Sequence, residues 1–96
     1  MKKLDVDTEK LISHGNYLIS CSSILDSALD SLDTEMKKIS DGWNDSDGKD
    51  FQLNFSNFIK EAKKIDTEIE LLGKYALKTA GKYEQLLNKS IEMMGE

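Results

Sequence analysis

Leu4, Leu11, Leu18, Leu25, Leu32 and Ile39 recur every seven residues without a miss. The companion positions begin small or polar at His14, Cys21 and Ala28, and the apolar flank then drifts to Leu29 and Met36. A straight helix drifts in this way against a seven-residue repeat. The pattern predicts an amphipathic helix over about residues 7–40. Asp5, Asp7 and Thr8 are its possible N-caps, and Glu9 suits the first turn. Asp41-Gly42 marks its end, because Gly favours a left-handed C-terminal cap.

The second half alternates by four and three through Phe51, Phe55, Phe58, Ala62, Ile65, Ile69, Leu72, Ala76, Thr79, Tyr83, Leu86, Ser90 and Met93. Eleven of these thirteen are apolar or aromatic, which predicts a second amphipathic helix over about residues 47–90. Asp45 or Ser46 is its N-cap, with Asp47 and Asp50 in the first turns. Gly73 and Gly81 each cost about 1 kcal/mol relative to Ala, so fraying is expected beyond about Tyr83. At 1.5 Å per residue the second helix spans roughly 65 Å against roughly 50 Å for the first, and its C-terminal end should overhang.

Only about residues 41–46 separate the two helices, and a short connection makes neighbours antiparallel. The fold class is therefore all-α: residues 1–96 form a single antiparallel helix-turn-helix hairpin. Asp26, Asp30 and Asp33 then lie across from the region of Lys60, Lys63 and Lys64. Ile12, Ile19 and Ile24 on the first helix, and Leu53, Ile59, Leu71, Leu77, Leu87 and Ile91 on the second, fall outside the main seams. A hairpin with such flanks is expected to dimerise into a four-helix bundle or to dock on another helical protein. The association face comprises Leu4, Leu11, Leu18, Leu25, Leu32 and Ile39 with Phe58, Ile65, Ile69 and Leu72.

Composition narrows the choice of partner. The chain has 96 residues, one cysteine and no proline, so it is one domain at most and forms no internal disulfide. A chain of this size is marginal alone unless it is well packed or oligomeric. All 13 basic residues are Lys, and the net charge is −5. An acidic chain without Arg lacks the side chain that reads nucleic acid and suits anionic lipid poorly, so neither partner is expected. Residues 1–48 carry 5 Lys and 10 acids, whereas residues 49–96 carry 8 of each. That asymmetry favours pairing of unlike segments.

The turn segment SDGWNDSDGKDF, Ser40 to Phe51, holds the only Trp, Trp43. It lies four residues beyond Ile39 and eight before Phe51, where it can fold onto Phe51 and Phe55 and plug one end of the bundle. Gly42 and Gly48 let the backbone reverse close to the ring. The alternative is an aromatic that a partner reads, since Trp is favoured at binding hot spots.

Catalytic chemistry finds no support. His14 and Cys21 are seven residues apart, about 10 Å along a helix, too far for a nucleophile–base hydrogen bond; both are expected to pack in the seam. The loop NDSDGKD fails a calcium register, with Trp43 and Asn54 where acids are required. No phosphate loop and no Cys/His metal spacing occur, so no cofactor is expected. LISC, Leu18 to Cys21, has the look of a lipobox, but Asp5, Asp7, Glu9, His14, Gly15 and Asn16 interrupt the apolar run that a cleavable signal peptide needs. No segment is apolar enough for membrane insertion.

Two long amphipathic helices in about 100 residues, with Trp at the corner, resemble the WXG100 (ESAT-6-like) family over nearly the whole chain. The resemblance centres on GWNDSDGKDF, with Gly42, Trp43, Gly48, Phe51 and Phe55 as the turn motif. The family tripeptide Trp-x-Gly is degenerate here: Trp43-Asn44-Asp45, with Gly48 the next glycine. The family's C-terminal export signal, Tyr-x-x-x-Asp/Glu, has Tyr83 with Leu87 at its last position, and Tyr75 is followed by Thr79.

The resemblance implies a small binding protein of a type VII (ESX/Yuk-like) secretion system, cytoplasmic before export and then secreted. Its implied partners are a second copy or a related small helical protein, and the secretion ATPase. A similar group of small helical proteins partners LXG toxins by binding the toxin's N-terminal domain. The rival reading is an intracellular coiled-coil adaptor or toxin-neutralising partner that is not secreted.

Overall fold

Both helices begin on an aspartate. In the computed structural model, which describes the backbone of residues 7–94 and the side chains of residues 7–89, Asp7 Oδ1 accepts the Lys10 N–H at 3.1 Å. Asp45 Oδ1 accepts the Gly48 N–H at 2.8 Å. Each cap satisfies an N–H of the first turn that has no partner within the helix. The helices that follow are α1, Thr8–Ser40, and α2, Ser46–Met94. α1 ends where Gly42 takes φ 80°, and the Trp43 N–H donates to the Ser40 carbonyl at 3.0 Å. A left-handed residue at this point reverses the chain without a Cβ clash. The described chain is thus an all-α helix-turn-helix.

The residues buried between the helices are not the leucine repeat. On α1 they are Gly15, Ser22, Leu29 and Met36; on α2 they include Ile59, Asp66, Gly73 and Ala80. Both sets keep a seven-residue spacing but use small or polar side chains at five of these eight positions. Leu11, Leu18 and Leu25 are half-buried, and Leu32 and Ile39 are 45% and 57% exposed. Ile59, expected outside the seam, is one of its buried members, and His14, expected in it, is exposed. Cys21 is half-buried. The physical reason is backbone proximity. Two helices approach most closely where side chains are smallest, and such positions carry no hydrophobic signal. Leu4 lies outside the described residues, as do the side chains of Ser90, Ile91 and Met93.

The chain divides into two compact units, each built from a stretch of both helices. Unit one is Cys21–Glu68 and contains the turn. In it the Ser22 hydroxyl donates to Asp66 Oδ1 at 2.6 Å, with the Asp66 carbonyl oxygen at 3.2 Å. Further toward the turn, Lys63 Nζ lies 2.6 Å from Asp30 Oδ1 and 3.7 Å from Asp26 Oδ1. Later residues of α1 therefore meet earlier residues of α2, and the pairing is antiparallel.

Unit two combines the described residues up to Ser20 with those from Ile69 on. Its helices also pair antiparallel and nearly touch. A Cβ on Gly15 would lie 2.9 Å from the Gly73 carbonyl oxygen, and one on Gly73 would lie 2.7 Å from that of Gly15. Leu77 and Ile19 close over the crossing. α2 continues through both glycines to Met94. Gly73 is held by this close packing, which offsets its poor helix propensity.

Candidate functional site

The turn and the adjoining face of unit one form the candidate site. Trp43 is half-buried, with its ring centroid 5.5 Å from that of Phe51. Phe51 is 6.2 Å from Phe55, which is 6.0 Å from Phe58. Tilted ring pairs at these separations add to the gain from burial alone. The four aromatics form one ladder from the turn along α2. Trp43 reaches Phe55 only through Phe51, and Phe58 continues the ladder beyond the expected pair.

Gly48 works by the space it leaves rather than by an unusual backbone. It is helical and buried, and a Cβ there would come within 2.5 Å of the Trp43 carbonyl oxygen and 2.7 Å of Cγ of its ring. The Trp43 residue thus sits directly on the first turn of α2. Gln52 Nε2 donates to the same carbonyl at 3.4 Å.

Helix geometry sorts the remaining residues. At about 100° per residue, positions three and four beyond a seam residue fall on opposite flanks of the seam. The positions four beyond carry Asp26 and Lys63, which belong to the polar flank. The hydrogen bond to Asp30 raises the Lys63 pKa above its ordinary 10.5. The positions three beyond carry Leu25, Leu32 and Ile39 on α1, and Phe55 and Ala62 on α2. Phe51, Phe58 and Ile65 extend this side, 38%, 55% and 56% exposed. One flank is therefore ionic, and the other is a continuous apolar face open to water.

In unit two, Ile69 is half-buried, and Leu71, Leu72 and Tyr75 are about 60% exposed or more. Tyr83 and Leu87 are half-buried on the last turns of α2 with described side chains, with Leu86 exposed beside them. α2 continues well past the level at which α1 begins.

Sequence reasoning missed the Ser22–Asp66 pair. The available signal was a polar residue in the seven-residue series Ile59, Asp66, Gly73, Ala80. Among the described residues no group of three His, Cys, Asp or Glu side chains is placed to hold a metal ion. No described helix is long and apolar enough to cross a membrane.

No curated protein and no solved structure matches the chain. The family model "WXG100: Proteins of 100 residues with WXG" matches residues 3–86, which takes in α1, the Trp43 turn and most of α2. Given that extent, the chain belongs to the WXG100 family.

Proposed function

We propose that this protein is a binding component of a type VII secretion system, either exported itself or serving as the targeting partner of an exported toxin. Family membership associates a small helical protein with type VII secretion. The observation that carries the finer reading is the open apolar face of unit one, where Leu32, Ile39, Phe51, Phe58 and Ile65 stay exposed although α1 and α2 are fully paired there. An exposed apolar face of this extent marks an interaction surface. A helical partner that covers Leu25, Leu32, Ile39, Phe58 and Ile65 completes a four-helix bundle.

One feature favours the partner role over autonomous export. Tyr83 has Leu87 rather than an acid four residues on, so a toxin's helical N-terminal domain would complete the signal read by the secretion ATPase. The turn aromatics then form one end of the joint surface. The function is recognition rather than catalysis.

Export is tested by comparing culture supernatants from strains with and without the membrane-bound secretion ATPase. The protein is expected in the supernatant only when the ATPase is present. Retention in the cytoplasm of both strains removes the export reading and leaves the intracellular adaptor.

A further inference from the structure

The open apolar face of unit one is set in an acidic surround. Residues 21–68 hold 11 acids and 6 Lys, a net of −5, which is the whole net charge of the chain. The rest of the sequence balances at 7 and 7. Three of these acids are placed on the edge of the face. Asp47 lies one turn before Phe51, Glu61 lies between Phe58 and Ile65, and Glu68 lies one turn after Ile65. All three are exposed. Glu61 pairs with Lys64 at 3.3 Å, so Asp47 and Glu68 are the rim acids outside any ion pair among the described residues. On the α1 edge, Glu35 and Lys38 pair with each other at 3.2 Å and cancel. The Lys residues nearest the seam, Lys63 among them, sit on the opposite flank.

A second copy placed on this face brings a second acidic rim and a second net charge of −5 on residues 21–68. Like charges across an apolar interface oppose association, and opposite charges select the partner and speed encounter. We propose that the occupant of this face is a helical partner whose apolar stripe is bordered by Lys or Arg, not a second copy of this chain. The inference rests on the association reading above and commits it to unlike chains. Apolar contact supplies the affinity, and Asp47 and Glu68 on the rim, with the net charge of −5 on residues 21–68, supply the choice.

The test uses this same chain as its own probe. Glu61→Lys with Glu68→Lys keeps every apolar side chain of the face and gives it a basic border. Sedimentation equilibrium is run on the wild-type chain, on the double variant and on their mixture, at about 0.05 M and about 1 M salt, where the screening length falls from about 14 Å to 3 Å. At low salt the mixture is expected to associate at least about tenfold more tightly than wild type alone, with the gap closing at high salt. Glu61→Gln with Glu68→Gln, which keeps the shape and removes the rim charge, is expected to self-associate more tightly than wild type. This second comparison decides the matter if the Lys variant loses helicity.

A wild-type dimer as tight as the mixture, and insensitive to both salt and the Gln substitutions, overturns the inference while leaving association intact. Absence of association in every sample, at both salt concentrations, overturns the inference, and the association reading is then decided by the co-encoded helical proteins.

Discussion

The Ser22 hydroxyl donates to the Asp66 carboxylate at 2.6 Å across the seam of unit one, with both residues buried. A carboxylate in that position is tolerated only while a donor faces it. Sliding one helix past the other would set Asp66 against apolar side chains, so the pair favours a single register. Ser22→Ala removes the donor and leaves the acid. Urea unfolding followed by circular dichroism, at fixed protein concentration, is expected to show a loss of about 1–3 kcal/mol. Ser22→Ala combined with Asp66→Leu is expected to recover most of it, because no unpaired polar group remains.

Gly48 and Gly81 are expected to respond in opposite directions to the same substitution. At Gly48 a methyl group collides with the Trp43 backbone, which has no flexible end to move aside. Gly48→Ala should cost about 1–3 kcal/mol and shift the Trp43 fluorescence, despite the better helix propensity of Ala. At Gly81 nothing lies within 4 Å of the added Cβ. Gly81→Ala should therefore stabilise by about 1 kcal/mol, read as a higher unfolding midpoint.

Lys63 offers a control on the ionic flank. Its raised pKa means that its pairing with Asp30 and Asp26 persists below pH 10.5 and is lost as pH rises through the folded value. All three side chains are solvent-accessible, so screening leaves the pair little weight. Lys63→Met at neutral pH is expected to leave the urea midpoint unchanged within error. A large shift would mean that the flank is dry.

Much of this architecture was legible in the sequence, for identifiable reasons. The apolar repeats marked both helices; Asp41-Gly42 marked the end of the first, while its start was narrowed only to Asp5, Asp7 or Thr8 and that of the second to Asp45 or Ser46. Trp43 against Phe51 was one of two readings that the spacing left open. The seam did not. Gly15, Ser22, Gly73 and Ala80 lie in it because small side chains let backbones approach, and a hydrophobicity pattern scores such residues as gaps. The leucine repeat was conspicuous because it is large and apolar, yet Leu32 and Ile39 face water beside the seam. Gly48 read as a turn residue, whereas its role is to leave room for Trp43.

The end of α2 is the proposed export segment. Tyr83 and Leu87 are half-buried there, with Leu86 exposed between them. Tyr83→Ala is expected to lower the secreted fraction severalfold while the cytoplasmic level holds, measured by immunoblot of both compartments. An unchanged supernatant would place the signal elsewhere, in this chain or in its partner.

Association through the open face of unit one is the central claim, and sedimentation equilibrium with co-encoded helical proteins tests it most directly. Leu32→Asp with Ile65→Asp alters two side chains that are already 45% and 56% exposed, so helicity should be retained. The expected result is a complex with the wild-type chain and a monomer with the double variant at the same concentration. A wild-type chain that stays a folded monomer and binds none of those products, or a double variant that binds as well as wild type, would contradict it.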